Sequence, residues 1–583
     1  MTELPVQLLL LAAGAILLLW FMAERGLSLT MFFQQEEYDG PRFLAWLKSK
    51  RAYDRSASFW LLTAVLSGIV TQFLLANTED SLLVAGLGYL IWPLMIIALV
   101  RGGLKSRQLR RASKKPLVLT PRVKRILVVY LLLGSALAML LAALTLLAPK
   151  GEQFSVNIEM ESDSLFDIFA FVHLSYDWQT VTGAFFLIGL AQALPFLLVT
   201  ANKLLEPYEE RIKAGYRAEA IERFATLNPK TIAITGSFGK TSTKHILSHI
   251  LGAAAPTLAT PGSVNTEMGI TRVIREMLTP EHQFFIVEMG AYGPGSIARL
   301  CKLTPPDVGL ITALGAAHFE RFKTLETVAR AKFELAEAVF KRSGITVVNA
   351  DAIDKTLLED RLTAVPGNYQ MVGKGGDVSL DTIDLNKDGL ALTITDKGET
   401  HTLKAPLYGR HQAGNILLAA TCARAVGLPW AAIKGALASV PQIRHRLEVS
   451  INSGQPTLIN DAYNSNPIGF ASALECLDTL VELGGRRILL TPGMVELGEK
   501  HAEEHERLGM LAAKHCDIVL VVTPERIPTF MAGLEAANSG NVTVMTFDKQ
   551  ENAETWAKRN WVAGDAVLFE NNLPDLYEAE CRF

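Results

Sequence analysis

The segment Ile232-Ala-Ile-Thr-Gly-Ser-Phe-Gly-Lys-Thr-Ser-Thr-Lys244 decides the fold of this chain. Its apolar start is typical of a buried strand, two glycines bracket the turn that follows, and its end begins an amphipathic helix. Glycines allow backbone N–H groups to close around phosphate oxygens, and a helix N-terminus adds partial positive charge. A lysine after the turn can reach terminal phosphates, and a threonine beside it can ligate Mg²⁺. The segment predicts a nucleotide-binding loop whose residues are Gly236, Ser237, Gly239, Lys240, Thr241 and Ser242.

The spacing of this loop is unusually short. The common phosphate-binding loop has four residues between its first glycine and the Gly-Lys pair, whereas only two residues separate Gly236 from Gly239. A short Gly-Lys-Thr turn can also arise by accident in an ordinary loop. The assignment therefore depends on what the rest of the chain contains.

The alternation of strands and helices from Thr231 onward predicts a parallel sheet with crossover helices. The predicted strands are Thr231–Thr235, Phe284–Glu288, Val308–Thr312 and Ile345–Asn349. Short alternating strands are predicted between Asp360 and Pro406, followed by a helix over Gln412–Val426. A second, smaller α/β domain is predicted from Leu447, with strands Thr457–Asn460, Arg487–Thr491, Ile518–Val522, Val542–Thr546 and Ala566–Phe569.

The apolar residues are concentrated in the first third of the chain. The 583 residues are 49% hydrophobic with a mean hydropathy of +0.24, which is high for a soluble enzyme. The cause is five apolar runs: Leu4–Phe21, Phe59–Leu75, Leu82–Val100, Ile126–Leu147 and Val181–Thr200. Each is long enough, or nearly so, to cross a hydrocarbon core of about 30 Å. The first run has no basic start and no Ala-x-Ala exit, so we interpret it as a retained span and not as a signal peptide.

Loop charges predict the orientation of these spans. Residues 24–58 carry six lysines or arginines and residues 101–125 carry ten, whereas residues 77–81 carry none and residues 148–180 carry one. The two basic loops are therefore placed in the cytoplasm and the N-terminus outside, so that five spans deliver Ala201 onward into the cytoplasm. Because the basic loops flank apolar runs, a topology signal or contact with anionic lipid explains them better than nucleic-acid binding.

These patterns together predict an α-helical membrane domain of about five spans (residues 1–202), a charged linker (203–228) and two α/β domains (229–445 and 446–583). The net charge of −3 excludes little. Five cysteines without a Cys-x-x-Cys pair indicate free thiols in a reducing compartment.

Eight further motifs follow the loop. They are Thr260-Pro-Gly-Ser-Val-Asn-Thr-Glu-Met-Gly269, Val287-Glu-Met-Gly-Ala291, Gly315-Ala-Ala-His318, Ala329-Arg-Ala-Lys-Phe-Glu334, Tyr408-Gly-Arg-His-Gln-Ala-Gly-Asn415, His445-Arg-Leu-Glu448, Asn460-Asp-Ala-Tyr-Asn-Ser-Asn-Pro467 and Gly493-Met-Val-Glu-Leu-Gly498. Each alone is weak, because a single glutamate or histidine is more often structural than catalytic. In this order, across roughly residues 229–570, the motifs and the short loop resemble the Mur ligase family, which makes peptidoglycan stem peptides. Within the family they look most like the ligases that add D-Ala-D-Ala.

The resemblance implies a role for each matched residue. The residues implied to be catalytic are Lys240, His318, Lys332 and Arg446. Those implied to serve two Mg²⁺ ions are Thr241, Glu288, His318 and Lys332. Those implied to bind ATP beyond the loop are His411, Asn415, Arg446 and Asp461, and those implied to bind substrate are Asn265, Asn464 and Asn466. The matched lysine is carbamylated in many members, which would turn it into an anionic ligand. Without the carbamate, Lys332 would be an ordinary solvated helix residue.

The activity that the resemblance implies is an ATP-dependent ligation of a carboxylate to an amine. Cations neutralise the phosphates so that the carboxylate can attack the γ-phosphoryl group. An amine then attacks the acyl phosphate, and the C-terminal domain closes over the site to exclude water. The implied location is the cytoplasmic membrane of a bacterium, in cell-wall precursor synthesis or modification.

Two departures from the family pattern affect the predicted substrates. The family begins with a soluble domain that holds a uridine nucleotide, and here the five apolar runs occupy that place. The branch that adds D-Ala-D-Ala has a Lys-Gly-Ser-Arg turn near its end, whereas this chain has Phe569-Glu-Asn-Asn-Leu-Pro-Asp575. A carboxylate substrate carried on a lipid would explain the apolar runs directly, and the acidic turn indicates a changed site for the amine.

Several alternatives are open at this point. The spans can be a mere anchor for a ligase that uses a soluble UDP-linked substrate. The ligase can make a different polymer, or it can amidate a lipid-linked intermediate. An ATP-driven transporter is a different class, which the scarcity of ionisable residues in the apolar runs disfavours. A non-catalytic scaffold would leave the phosphate and metal residues unexplained.

Overall fold

The computed structural model of this protein describes residues 3–50, 52–75, 88, 90–113, 115–149, 178–315, 322, 324–462, 465–495 and 497–573. The chain divides into two compact units, the first reaching to Ile212 and the second comprising Lys213–Leu573. The boundary lies ten residues beyond the predicted end of the membrane domain.

The first unit is helical. Its helices are α1 (Glu3–Gln35), α2 (Gly40–Ser49), α3 (Ser56–Leu75), α4 (Ile91–Ala112), α5 (Pro121–Thr145) and α6 (Trp178–Leu227), the last of which ends in the second unit. The residues predicted to form a charged linker are therefore the end of a helix. Asp39 and Thr120 cap α2 and α5 by accepting a hydrogen bond from the backbone N–H three residues on.

Four helices in the described residues are long and apolar enough to cross a membrane. The four segments are Leu11–Gln35, Ser56–Leu74, Pro121–Thr145 and Trp178–Leu227. The third predicted run, Leu82–Val100, begins outside the described residues and continues into α4. Most of residues 148–180, which were predicted to lie outside the cell, are also not among the described residues. About five spans therefore stays a prediction. On α3, Phe59, Leu66 and Phe73 recur every seven residues and are more than half exposed, which fits a surface that faces lipid.

The second unit contains a nine-stranded sheet in the order β2-β3-β1-β4-β5-β6-β7-β8-β9. Its strands are β1 (Lys230–Thr235), β2 (Thr257–Ala259), β3 (Phe284–Glu288), β4 (Val308–Ile311), β5 (Ile345–Asn349), β6 (Tyr369–Gly373), β7 (Val378–Asn386), β8 (Gly389–Asp396) and β9 (Glu399–Ala405). Pairing is parallel from β2 to β7 and antiparallel from β7 to β9. The predicted region of short strands was wrong at its start, because Asp360–Ala364 belongs to a helix.

Helices cover both faces of this sheet. They are α7 (Lys240–Gly252), α8 (Glu267–Glu276), α9 (Ser296–Leu303), α10 (Leu325–Phe340), α11 (Lys355–Ala364), α12 (Gln412–Ala425) and α13 (Trp430–Leu437). Alternate residues of β1 enter different cores, since Ile232 and Ile234 pack with α7 and α12 while Ala233 packs with α8 to α10. A strand buried on both sides is apolar throughout, which is why these strands could be predicted as continuous runs.

A six-stranded sheet in the order β10-β11-β15-β12-β13-β14 follows. Its strands are β10 (Glu448–Ser450), β11 (Thr457–Asp461), β12 (Arg487–Thr491), β13 (Ile518–Val522), β14 (Thr543–Phe547) and β15 (Ala566–Glu570). Its helices are α14 (Pro467–Leu480), α15 (His501–His515), α16 (Pro528–Ala537) and α17 (Gln550–Asn560). All pairs are parallel except β10 with β11. The carboxyl ends of parallel strands share one edge, where ligands of open α/β sheets bind.

Candidate active site

The loop between β1 and α7 requires its two glycines. Gly239 has φ +80°, and a Cβ added there would overlap Oδ1 of Asn415. A Cβ added at Gly236 would overlap the hydroxyl of Thr312. Only glycine allows α12 and the end of β4 to approach the loop so closely. The two glycines thereby let the loop lead directly into the N-terminus of α7, and its binding of a nucleotide stays a prediction.

The ammonium group of Lys240 lies inside this loop. Its Nζ donates to the carbonyl oxygens of Gly236 at 2.8 Å and Ser237 at 3.2 Å. The pKa of Lys240 is lowered, mainly by burial. The charge of Glu288 opposes this shift, and the charge of Arg446 adds to it. An anionic ligand such as phosphate would compensate the desolvated charge.

Glu288 ends β3 beside the loop and is buried. Thr241 donates its hydroxyl to Oε2 of Glu288 at 3.0 Å, and Asn265 donates its side-chain amide to Oε1 at 3.2 Å. Nζ of Lys244 also lies 3.0 Å from Oε2, and both side chains of this ion pair are 1% exposed. Lys244 was missed by the sequence analysis, although it follows Lys240 by four residues and therefore lies on the same helix face.

The oxygen atoms at this point fit a magnesium site only in part. A carboxylate and a hydroxyl are ligands that Mg²⁺ accepts, and Mg²⁺ commonly completes its shell with phosphate oxygens and water. The described residues hold no group of three or more His, Cys, Asp or Glu side chains suited to a metal. His318, the predicted histidine of a second metal site, lies outside the described residues. The protein thus supplies a partial set that needs the phosphates of a nucleotide.

Lys332 is buried on α10. Its side chain is 4% exposed, so the expectation of a solvated lysine in the absence of a carbamate was wrong. Burial, and then the charge of Lys240, lowers the pKa of Lys332 well below its usual value. A neutral buried amine is the form that reacts with carbon dioxide, and the resulting carbamate would place an anion next to the ammonium group of Lys240.

A cavity of about 280 Å³ opens between the two α/β sheets of the second unit. Seven of the residues predicted to bind nucleotide or substrate line it: Gly239, Ser242, His411, Asn415, Arg446, Asp461 and Asn466. The Nδ1 atom of His411 is buried and finds no hydrogen-bond partner in the described part of the chain. Burial and the charge of Arg446 lower the pKa of His411 to about 4, so its ring is neutral. A neutral ring with an unused nitrogen suits a neutral ligand group such as a nucleobase.

Arg446 lies in the segment between the two sheets, where the backbone conformation is unusual. The residues on both sides of it have left-handed backbone angles, φ +58° at His445 and +51° at Leu447. Non-glycine residues adopt this conformation rarely and at a cost, and it clusters at switch regions. Nη2 of Arg446 lies 3.4 Å from the Thr241 hydroxyl, and the N–H of Leu447 donates to Asp461 at 3.0 Å. This segment therefore places Arg446 beside the predicted phosphate-binding loop.

Asp461 and Glu570 form a buried carboxyl pair at the ends of β11 and β15. They are register partners on neighbouring parallel strands. Burial raises the pKa of Asp461 to about 6, and burial together with the charge of Asp461 raises that of Glu570 well above its usual value. The Ser465 hydroxyl donates to Oε1 of Glu570, whereas Oε2 has no hydrogen-bond partner among the residues that the structure describes. The raised pKa of Glu570 is a property that its place in the sequence did not predict.

The three predicted substrate asparagines have different outcomes. Asn265 lies at Glu288 and accepts a hydrogen bond from the hydroxyl of Tyr292 at 3.3 Å. Asn466 lines the cavity but also caps α14, accepting the N–H of Gly469 at 3.0 Å. Asn464 lies outside the described residues. Ser237, predicted to bind nucleotide, exchanges two hydrogen bonds of 3.0 Å with Gly315, which ties the loop to the segment after β4.

Both α/β domains match known protein families. Residues 234–423 match the Mur ligase middle domain, and residues 445–570 match the Mur ligase glutamate ligase domain. The chain is 33% identical over 312 residues to the UDP-N-acetylmuramoyl-tripeptide–D-alanyl-D-alanine ligase of Mycobacterium leprae, covering 48% of this chain and 59% of the relative. The enzyme of the same description from Escherichia coli K12 is 32% identical over 298 residues, covering 50% and 64%. This chain thus spans less than two thirds of the length of these relatives.

Solved structures give the same result. MurF of Thermotoga maritima, solved with ADP, is 27% identical with a TM-score of 0.54, covering 63% of this chain and 82% of the other. One structure of MurF from Acinetobacter baumannii is 25% identical with a TM-score of 0.55, covering 63% and 78%. The resemblance drawn from the motifs is confirmed for the two α/β domains.

Proposed function

We propose that this chain, which belongs to the Mur ligase family through its middle and glutamate ligase domains, is an ATP-dependent carboxylate–amine ligase of cell-wall precursor synthesis or modification. One observation carries the proposal. Lys240, Thr241 and Glu288 of the first sheet meet Arg446, from the segment that leads into the second sheet, at one loop. This arrangement brings the proposed phosphate-binding and metal-binding groups together with a residue that comes from the segment leading into the second sheet.

In the proposed reaction, ATP lies in the cavity of about 280 Å³ with its base toward His411 and its phosphates on the loop. Lys240 and Arg446 neutralise the phosphates, so that a substrate carboxylate can approach. The carboxylate oxygen attacks the γ-phosphorus, the bond to the β-phosphate oxygen breaks, and ADP leaves. The amine then attacks the acyl carbon, loses a proton and expels inorganic phosphate. The products are an amide, ADP and phosphate.

Bound Mg²⁺ would neutralise the charge that develops on the phosphate oxygens. Thr241 and Glu288 would hold one ion, and His318 with carbamylated Lys332 would hold a second. Lys244 would hold Glu288 in position before an ion arrives, since its ammonium contacts the same oxygen. The buried, desolvated position of Lys332 supports its carbamylation.

Closure of the second sheet over the loop is part of the proposal. The two left-handed residues around Arg446 are the proposed hinge, which is supported by their unusual backbone angles. Closure would bring the amine to the acyl phosphate and exclude water, which would otherwise hydrolyse it.

We propose that the first unit spans the cytoplasmic membrane, with the N-terminus outside and the second unit in the cytoplasm. The loop charges and the four apolar helices support this placement. Reporter fusions test it: a fusion at Lys114 is expected to report the cytoplasm and one at Ser164 the exterior. The reverse result would place the nucleotide site on the side without ATP and contradict the topology.

The proposed carboxylate substrate is carried on a lipid and presented at the membrane face. The apolar helices precede the matched domains, in the place of the domain that holds a uridine nucleotide in the family. A truncated chain that begins at Lys203 tests this point. If it ligates a soluble UDP-linked peptide as fast as the full chain, the spans are only an anchor.

A second candidate keeps this chemistry but changes the amine. Glu570, whose pKa is raised by burial, ends β15 in the region where the branch that adds D-Ala-D-Ala has a basic turn. The turn Phe569–Asp575 carries no basic side chain to pair with the free carboxylate of a dipeptide, which favours an amine without one, as in an amidation. Phosphate release by the full chain with ATP, lipid-linked and UDP-linked precursors and a panel of amines decides between the candidates. Turnover that needs neither a carboxylate nor an amine would contradict both.

A further inference from the structure

The first unit contains a second cavity, of about 380 Å³, that the ligase reaction does not use. It is lined by three arginines and three leucines: Arg107, Arg110, Arg111, Leu27, Leu117 and Leu119. All lie in α1, at the end of α4 or in the segment that leads to α5. A cavity with guanidinium groups and an apolar wall is unusual for a simple topology signal, whose charges need no common pocket.

Glu24 fixes two of the arginines. Arg107 donates to Oε1 of Glu24 at 2.6 Å, and Arg110 donates to Oε2 at 2.6 Å. Arg110 also donates to the backbone oxygen of Glu24 at 2.8 Å. The carboxylate is nearly buried, while the side chain of Arg107 is 42% exposed and that of Arg110 is 18% exposed. Glu24 therefore holds the two guanidinium groups in place, and both remain accessible to a ligand.

The apolar wall is also held in place. Gln34 of α1 exchanges two hydrogen bonds with the backbone of Val118, at 3.1 and 3.2 Å. Leu117 and Leu119 are two residues apart in this extended segment, so both face the cavity, where Leu27 completes the wall. The leucines offer a surface for a hydrocarbon chain beside the arginines.

The charge of the cavity indicates which anion fits. Three arginines against one carboxylate leave two positive charges. A phosphodiester headgroup carries one negative charge, whereas a phosphomonoester carries up to two above a second pKa of about 6. Arginine also binds phosphate oxygens through paired N–H groups. The balance therefore favours a phosphomonoester or a diphosphate over a phosphodiester.

We propose that this cavity binds the phosphomonoester or diphosphate group of a membrane lipid, with the lipid chain on the three leucines. The inference rests on the membrane placement proposed above. It deepens that proposal, because a carboxylate substrate carried on a lipid phosphate would be held here by its carrier.

Lipid binding to the full chain in nonionic detergent tests the proposal, with dioleoyl phosphatidic acid as the phosphomonoester and dioleoyl phosphatidylglycerol as the phosphodiester. Native mass spectrometry gives the dissociation constants. For the wild-type chain, the dissociation constant of phosphatidic acid is expected to be about tenfold lower than that of phosphatidylglycerol. One additional charge-assisted hydrogen bond accounts for a difference of this size. Arg111→Gln is expected to weaken phosphatidic acid binding by about tenfold, and Leu119→Ser to weaken it about threefold through lost chain contact.

Arg55→Gln is the matched control. It removes the same charge from an exposed position of the other basic loop, outside the cavity, and is expected to change binding less than about twofold. Equal losses in the Arg111 and Arg55 variants, or equal binding of both lipids by the wild type, would overturn the proposal. Complete displacement of phosphatidic acid by an equimolar amount of inorganic phosphate would also overturn it, since the ligand would then be free phosphate.

Failure of this site and failure of the proposed ligase are distinguishable. Phosphate release on a soluble carboxylate substrate reports the ligase reaction without the lipid. If Arg111→Gln loses lipid binding but keeps this turnover, the cavity is a carrier site apart from the chemistry, as proposed. If the lipids fail to discriminate while turnover persists, only the carrier site is wrong.

Discussion

Replacement of Lys244 by methionine tests whether the buried ion pair prepares Glu288 for a metal. The two side chains are 3.0 Å apart and each is 1% exposed. Removing one partner of a buried pair typically costs about 3–5 kcal/mol, because the other charge is left uncompensated. Thr241 and Asn265 still donate to Glu288, so we expect a loss near the lower end, about 3 kcal/mol.

The expected loss is large enough to measure on the full chain in detergent. In a unit of this size, each kcal/mol of lost unfolding free energy lowers Tm by about 2 °C, so we expect Tm to fall by about 6 °C. Thermal unfolding followed by tryptophan fluorescence gives the value. Mg²⁺ is expected to raise the Tm of Lys244→Met more than that of the wild type, since the ion replaces the missing ammonium.

Two further variants make the measurement decisive. The double variant Lys244→Met with Glu288→Gln removes both charges and is expected to recover at least half of the lost Tm. Lys355→Met is the control, because it breaks an exposed pair with Glu359 at 4.0 Å and should shift Tm by less than about 1 °C. A loss in Lys244→Met no larger than in Lys355→Met, or additive losses in the double variant, would refute the reasoning.

Three other variants probe the remaining parts of the site. Lys240→Ala is expected to lower ATP turnover by at least about 10³-fold while the chain still folds, since the ammonium bonds to carbonyl oxygens of its own loop and is proposed to act on phosphate; phosphate release near the wild-type rate would contradict the loop assignment. Lys332→Ala is expected to be inactive and partly rescued by short carboxylates in an activity assay, and full activity without additive would exclude a carbamate role. Asp461→Asn is expected to gain Tm relative to the wild type as pH rises from about 4 to about 6, because the folded pKa of about 6 exceeds the unfolded value. A Tm difference that is flat with pH would show that this carboxyl is not buried and protonated.

The strands that carry the site could be predicted because each is a short apolar run with a defined end. Thr231–Thr235 and Phe284–Glu288 were placed to within one residue, since both faces of the sheet are covered and each strand is apolar throughout. The turn residues Gly236 and Gly239 were predicted from chemistry alone, and their close contacts with β4 and α12 give the physical reason.

The interactions that depend on topology could not be predicted in the same way. The ion pair of Lys244 with Glu288 joins two elements 44 residues apart, and nothing in a helix of mixed polarity distinguishes a buried lysine from a solvated one. Lys332 was misjudged for the same reason. The carboxyl pair of Asp461 and Glu570 could be predicted only if the pairing of β11 with β15 were known, because this pairing brings together residues more than a hundred positions apart in the sequence. The apolar helices of the first unit could be predicted from composition, whereas its basic cavity could not be, because three separate segments build it.

The central claim is that an acyl phosphate forms between the substrate carboxylate and ATP. The most direct measurement supplies the full chain with a precursor whose reacting carboxylate carries ¹⁸O, together with ATP and an amine, and analyses the released phosphate by mass spectrometry. One ¹⁸O atom is expected in each phosphate, because the carboxylate oxygen that attacks the γ-phosphorus leaves with it. Amide formation with unlabelled phosphate would contradict the proposed mechanism.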